Sequence, residues 1–337
     1  MVIMGMNLFV VTVVGIALLL ALLPLIPYAI ARLLSHWRHF SVRLKPFALT
    51  SLVAVGVWIG MALYGHYYGR FQSEQTSVTL SFPNLPAGFD GYRIVQISDL
   101  HLDGWQGHDK ELETLVQKVN SLNADAVFFT GDIVSLSDDE LPHFIPILSK
   151  IKAKDGVFSI LGNHDYIPYR TDWSDSERRQ RMQHIASMER NSLHWQLLTN
   201  QNTVLKHGND SIAILGSENQ SLAIHSVVRR GDLAKTTLGT DSLFRILLTH
   251  DPSQWRKEVL GNYEIPLTLS GHTHGGQVGF FGRCYLSGLL YREHAGLYCD
   301  NNRYLYVNRG LGSTMPMRIG DPAEITLITL KHTKQKS

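Results

Sequence analysis

The chain has 337 residues, of which 44% are hydrophobic and 18% charged, a charge content below the roughly 25% of ordinary globular chains. Residues 1–80 hold Arg32, Arg38, Arg43, Lys45 and Arg70 against the single acid Glu74, and the remaining 26 basic residues face 28 acidic ones. These figures exclude a disordered chain, a disulfide-dense miniprotein and a strongly basic nucleic-acid binder, and two cysteines are too few for a tetrahedral zinc finger.

The missing charge is missing from the front. Residues 1–31 contain no Asp, Glu, Lys or Arg, and none lies between Lys45 and Arg70. The apolar runs at about 8–30 and 46–68 are each long enough to cross a ~30 Å hydrocarbon core at 1.5 Å per residue, which predicts a membrane anchor over residues 1–68. Pro24 and Pro27 are expected to kink or end the first helix. Trp58, Tyr64, Tyr67 and Tyr68 suit the interfacial belt. A cleaved signal segment is the competing reading of the first run; no positive charge precedes that run, and it is longer than a signal core. Arg32, Arg38, Arg43 and Lys45 lie between the spans. The positive-inside rule keeps that loop in the cytoplasm and sends everything after Tyr68 to the outer face of the membrane.

Residues 69–80 read as a polar linker into a first strand, residues 81–331 as a folded domain, and 332–337 as a tail. Within the domain, Tyr92–Ser98, Ala126–Thr130, Gly156–Leu161, Ser211–Leu215, Arg245–Thr249, Pro266–Ser270, Arg303–Asn308 and Glu324–Leu330 read as strands. Lys110–Leu122 has helical spacing of Leu112, Leu115, Val116 and Val119, and the charged stretch Asp172–Arg190 reads as a solvated helix. Alternating strands and helices argue for an α/β architecture.

Five of these strands run into residues of metal-ligand type. They end at Asp99-Leu100-His101, Gly131-Asp132, Gly162-Asn163-His164-Asp165, His250, and Gly271-His272-Thr273-His274. Sites in α/β sheets form outside the carboxyl ends of strands, so these groups are expected to converge. A set rich in imidazole and carboxylate, without cysteine, suits Zn, Fe, Cu, Ni, Mn or Mg. It exceeds what one ion needs, and two ions sharing a carboxylate is the economical reading. Two metals ~3.5–4 Å apart can clamp an in-line displacement at phosphorus and generate hydroxide, while a histidine that is not a ligand protonates the leaving oxygen. Gly131, Gly162 and Gly271 are expected to make the sharp turns that present each ligand.

The series SDLHL, GD, GNHD, H and GHTHGG resembles the calcineurin-like metallophosphoesterase superfamily, nearest its membrane-attached, YkuE-like bacterial branch. The segments Gly88–Ile94, Tyr285–Gly288, Tyr306–Gly312 and Pro322–Leu327 are also similar, and the resemblance covers about residues 78–331. It implies a four-layer α/β/β/α sandwich and a binuclear centre of two divalent metal ions, manganese first, with zinc or iron as alternatives. By the same resemblance Asp99, His101 and His274 hold the first ion and Asn163, His250 and His272 the second. Asp132 bridges them, His164 is the catalytic histidine and Asp165 orients it. After Ser211–Leu215 relatives often carry acidic residues, where this chain reads Gly216-Ser217-Glu218-Asn219.

Around the site, Tyr166, Ile167, Pro168, Tyr169 and Trp173 form either an apolar wall over a lipid or aromatic leaving group or a packed surface loop. Phe280, Phe281 and Leu289-Leu290 add apolar residues near GHTH. Arg309 is either a phosphate contact or a salt-bridge partner. Cys284 and Cys299 would close a loop worth ~3 kcal/mol if paired. The expected activity is a membrane-anchored phosphohydrolase, a phosphodiesterase acting on a phospholipid or nucleotide-linked glycolipid, with the lipid bilayer as its other partner. A UDP-2,3-diacylglucosamine pyrophosphate hydrolase, a nuclease and a non-catalytic metal-containing membrane sensor are the alternatives. The near-neutral body argues against nucleic acid.

Overall fold

The computed structural model describes residues 2–38, 40–222, 228–279 and 287–333. Helix α1 (Val2–Leu22) breaks at Leu23-Pro24 and resumes as α2 (Leu25–Arg38); Pro27 falls in the first turn of α2, where a missing N–H is tolerated. Helix α3 (Lys45–Tyr67) starts with Pro46 in its first turn. The stretches Phe9–Arg38 and Lys45–Phe71 are each long and apolar enough to cross a membrane. Val11, Leu18, Leu52 and Val57 stand exposed on them.

Two six-stranded sheets follow. The first orders β1 (Ser73–Phe82), β12 (Ala323–His332), β2 (Arg93–Ile97), β3 (Ala126–Phe129), β4 (Val157–Ser159) and β5 (Gln196–Leu197). The second orders β10 (Gly296–Asp300), β11 (Arg303–Val307), β9 (Leu267–Ser270), β8 (Phe244–Leu248), β7 (Asp210–Gly216) and β6 (Gln201–His207). Side chains on successive residues of a strand point to opposite faces, and the three cores follow that alternation. Ile94, Ala126 and Phe128 meet Ile212, Ile246 and Leu267 between the sheets. Val95, Ile97, Val127 and Phe129 pack outward under α4 (Asp109–Ser121), α5 (Ile145–Leu148) and α6 (Asp175–Asn191). Ala213, Leu215, Leu247 and Leu305 pack on the other outer face against Leu233 of α7 (Leu233–Thr237), Trp255 and Val259. The four-layer α/β/β/α sandwich is therefore present.

Residues 69–80 are not a linker. Gly69–Phe71 make one 3₁₀ turn and β1 begins at Ser73, pairing in parallel with β12 over its whole length. The polar side chains of β1 alternate with Leu80 and Phe82, which are buried between the sheets, so an edge strand was disguised by its solvent face. The domain accordingly starts at Ser73 rather than 81. Helix α6 is only partly solvated. Ser174 and Glu177 cap it reciprocally, and Ile185, Ala186, Met188 and Glu189 are buried.

Candidate metal centre

Parallel strands β2, β3 and β4 of one sheet and β8 and β9 of the other deliver their carboxyl ends to one place. The Gln96 amide of β2 donates to Ser270 O at the end of β9 (2.8 Å), and His250 Nδ1 donates across the sheets to Thr130 O (2.7 Å). The backbone there is contorted. Asp99, His101, Asp132, His272 and His274 all have φ between 46° and 75°, a left-handed conformation that side chains other than glycine seldom adopt. Such strain persists only where the surroundings over-determine it and clusters at functional sites. Gly131 takes the expected positive φ of 95°. Gly162 and Gly271 do not; they are there for close approach. A Cβ at Gly162 would lie 2.2 Å from Asp132 Oδ1, and one at Gly271 would lie 2.3 Å from Asp99 Oδ2.

The expected site residues converge as three overlapping groups of donors: Asp99, His101 and His274; His101, Asp132 and His164; and Asp132, His250 and His272. His101 Nε2 and His274 Nε2 face each other at 3.0 Å, with Asp99 Oδ1 3.5 Å from the latter. On the far side, His250 Nε2 is 3.0 Å from Asp132 Oδ2, 3.1 Å from Asn163 Oδ1 and 3.2 Å from His272 Nδ1. Asp132 Oδ2 is also 3.6 Å from His101 Nε2, so one carboxylate stands between the two triads.

Divalent ions fit these donors. Burial pushes the Asp99 carboxyl up to about 6 and the His101 ring down to about 3, and it holds His274 well below the ordinary imidazole range. A neutral imidazole is the form that ligates. The buried His274 Nδ1 has no hydrogen-bond partner among the described residues. Burial works against charge on Asp132 and His250 as well, but their mutual attraction prevails: His250 is drawn up to about 10 and Asp132 falls below the carboxylate range. The site thus favours a positive charge at that point, which is what a cation would supply.

The structure corrects the expected role of Asp165. Its carboxylate does not touch His164; it accepts the main-chain N–H groups of Asp132, Ile133, Val134 and Gly162 at 2.8–3.2 Å. Asp165 is fully buried, and its side chain turns beneath the loop that carries Asp132 rather than toward the imidazole. His164 is oriented instead by donating from Nδ1 to Ser135 O (2.6 Å), which leaves Nε2 as its second nitrogen. Glu140, absent from the sequence reading, accepts from Ser135, Leu136 and Ser137 N–H, and from Asp103 N–H. Its only sequence signal is the capping-box spacing from Ser137.

Two further residues reach the centre unannounced. Tyr291 OH is 2.9 Å from His272 Nε2, and Asp251 Oδ2, buried, is 3.4 Å from the same nitrogen. Of the proposed wall, Tyr166 and Ile167 are core residues, with the Tyr166 hydroxyl donating to Glu218. Glu218 also accepts from Asn200, so the Gly216–Asn219 segment is engaged in holding that loop. Only Tyr169 faces the site, its ring 4.6 Å from the His164 ring and tilted to it, with its hydroxyl accepting from Asn163. Trp173 is sandwiched by Arg170 and Arg181. Arg309 makes ion pairs with Glu74, Asp321 and Glu324, which resolves its two readings in favour of a structural role. Phe280, Phe281 and Cys284 lie outside the described residues, as does the Leu289 side chain, so the Cys284–Cys299 pairing is not visible; Cys299 is exposed on β10.

The sequence profile of the calcineurin-like phosphoesterases matches residues 92–276, the span from β2 through GHTHGG. The chain is 34% identical over 281 residues to the uncharacterized metallophosphoesterase YkuE of Bacillus subtilis, covering 80% of this chain and 90% of that one. It is 31% identical over 301 residues to the UDP-2,3-diacylglucosamine pyrophosphatase LpxG of Chlamydia trachomatis, covering 75% and 88%. A transmembrane protein with a metallophosphoesterase domain from Danio rerio is 29% identical over 83% of this chain and 62% of its own length.

Proposed function

The chain belongs to the calcineurin-like phosphoesterase family, a family of hydrolases acting on phosphoesters, and from that premise we propose a membrane-anchored, two-metal phosphodiesterase acting on a phospholipid or nucleotide-linked glycolipid. The observation that carries this reading is the position of Asp132, whose carboxylate stands between Asp99, His101 and His274 on one side and Asn163, His250 and His272 on the other. Asp132 is the proposed shared ligand, and the two triads hold one divalent ion each, manganese in the first instance. Two such ions supply a nucleophile from water at neutral pH and offset charge on the phosphoryl oxygens.

The remaining work falls to side chains. His164, fixed through Nδ1 on Ser135 O, has Nε2 available to give a proton to the departing oxygen. Tyr291 and Asp251, both at His272 Nε2, fix that ring so that Nδ1 faces His250. Tyr169 covers the His164 ring and limits water on that side.

The two apolar helical segments support attachment to a membrane. Arg32, Arg38, Arg43 and Lys45, gathered around the junction of the two segments, support a multi-pass arrangement in a bacterial inner membrane with the catalytic domain outside the cytoplasm. A second reading, pyrophosphate hydrolysis of UDP-2,3-diacylglucosamine, draws on the similarity to LpxG. Elemental analysis of the purified protein, with an assay panel of bis(p-nitrophenyl) phosphate, lipid phosphodiesters, UDP-2,3-diacylglucosamine and DNA, tests the proposal. Two divalent ions per chain and turnover of diesters without DNA cleavage are expected. Cleavage of DNA in preference to the small diesters would favour the nuclease, and a metal-loaded protein inert toward all four would favour a sensor.

A further inference from the structure

The membrane helices run into the catalytic domain without a flexible joint. Tyr68, one 3₁₀ turn and Gln72 separate α3 from β1, whose full length is locked to β12. The loop from Thr314 to Ile319 then folds back onto the helices. Met317 and Ile319 are buried in one apolar cluster with Trp58 and Ala62 of α3, against Phe9 and Val13 of α1. Polar bonds tie the same surfaces: Arg318 N–H donates to Gly65 O (3.2 Å), His66 Nδ1 donates to Pro316 O (2.7 Å), and Trp58 Nε1 joins α3 to Val13 O of α1 (3.0 Å). Gly65 and Gly69 leave room for this contact. A Cβ at Gly69 would lie 2.1 Å from Arg318 O, and one at Gly65 would lie 2.7 Å from Ile319 Cγ1.

The other side of this loop holds the metal-ligand segments. The Arg318 guanidinium, fully buried, donates to the carbonyls of Arg309, Gly310, Gly312 and Asp321 and reaches His274 O at 3.5 Å. Gly312 N–H in turn donates to Asp99 O (2.7 Å). Gln277, three residues after His274, binds the loop through both ends of its amide: Nε2 donates to Met317 O (2.8 Å) and Oε1 accepts from Thr314. One residue, Arg318, therefore touches the membrane helix with its main chain and the His274 carbonyl with its side chain. Beyond GHTHGG, Val278 lies in the cluster with the helices, and Leu290, 71% exposed, precedes Tyr291 at His272.

We propose that this seat fixes the metal centre at the membrane surface and that the substrate is an amphiphilic phosphodiester whose hydrocarbon chain stays in the bilayer while its phosphate enters the site. A domain on a loose tether would meet dissolved and bilayer-held esters alike; a seated one favours the latter. The inference rests on the phosphohydrolase reading and adds that the substrate is taken from the bilayer rather than from solution.

The test compares two esters with the same leaving group, hexadecyl p-nitrophenyl phosphate and methyl p-nitrophenyl phosphate, with the full chain in phosphatidylcholine vesicles. Hydrolysis of either breaks the phosphorus–oxygen bond to p-nitrophenolate, with water supplying the new oxygen. Wild type should show kcat/KM at least about tenfold higher for the hexadecyl ester, and Gly69→Val should lower that ratio about tenfold while its methyl-ester rate stays within about threefold of wild type, since positioning errors near 1 Å cost such factors. Gly69→Val remains membrane-bound, so simple concentration of the long-chain ester in the bilayer cannot produce the difference. Gly56→Val, on α3 where a Cβ meets nothing within 4 Å, should behave as wild type. Hydrogen exchange provides a readout independent of turnover: the Arg318 and Ile319 amides should be slow in wild type and faster in Gly69→Val. Should Gly69→Val lose methyl-ester turnover through misfolding, Gly65→Ala, a smaller intrusion, takes its place. A wild-type ratio near one, or a ratio unchanged when exchange shows the loop released, overturns the seat proposal and leaves the hydrolase standing. Turnover of neither ester by metal-loaded wild type would instead count against the hydrolase reading itself.

Discussion

Six consecutive amides, Asp132 to Ser137, donate to two carboxylates, the first three to Asp165 and the next three to Glu140. That loop carries both Asp132 and the carbonyl of Ser135, so the proposed shared ligand and the partner of His164 are positioned by the same clamp. A carboxylate accepting several main-chain donors is a rigid support, and burial, which pushes Glu140 up to about 7, marks how little solvent enters it. The roles of Asp132 and His164 separate experimentally. Asp132→Asn should lose metal and activity together, because an amide is a poor anion between two dications. His164→Asn should keep both metals while kcat falls by about 10²–10⁴, the usual contribution of a positioned acid. Its loss should be smaller for good leaving groups, which need little protonation. His272→Asn should lower metal content by elemental analysis. An emptied site in His164→Asn would make His164 a ligand, as its place beside His101 and Asp132 also permits.

The secondary elements differ in how openly the sequence announces them. Strands β2, β3, β8 and β9 are mostly apolar because both faces are buried, β3 wholly so and the others interrupted by Arg93 and Gln96, by Arg245, and by Thr268 and Ser270, and they were legible at once. Their ligand-bearing ends were legible too, since Asp, Asn and His directly after an apolar strand have few other reasons to be there. Strands β1, β6 and β10 were hidden or blurred, being edges whose polar residues mask the alternation; β10 and β11 join through Asn301-Asn302, both with positive φ, a hairpin signal easily passed over. Glu140 and Asp251 were illegible because their value lies in main-chain and ring contacts that no spacing records. Helix α6 hides a similar group. Glu189 is fully buried, bonded to Ser159 of β4, and burial with the nearby Asp165 pushes its carboxyl up to about 8. The folded state therefore holds a proton that the unfolded chain releases above about pH 4.3, and this group's contribution to stability falls as pH rises from there to about 8. Glu189→Gln should raise the unfolding temperature near pH 9 and leave it nearly unchanged near pH 5. Equal shifts at both pH values would mean that Glu189 is already ionised in the fold.

For the molecule as a whole, the apolar helices and the sandwich are one packed body through Arg318 and Gly65, and the side of the membrane proposed for that body rests on the basic residues around the junction of the helices. The seat was not legible in the sequence, where Met315–Ile319 is an unremarkable loop, because its meaning depends on glycines more than two hundred positions earlier. The proposed orientation draws on Arg32, Arg38, Arg43 and Lys45. A reporter active only outside the cytoplasm, fused at the C-terminus, should give signal, and a strong signal from a cytoplasm-only reporter at that position would reverse the orientation. The central claim is that two ions, shared by Asp132, make this chain a phosphodiesterase. Its most direct test is to strip the purified full-length protein of metal and follow bis(p-nitrophenyl) phosphate hydrolysis as Mn²⁺ is added back. The account predicts no turnover without metal and activity that rises to a plateau at two equivalents per chain. Turnover that persists in the stripped protein, or a plateau at a single equivalent, would contradict it.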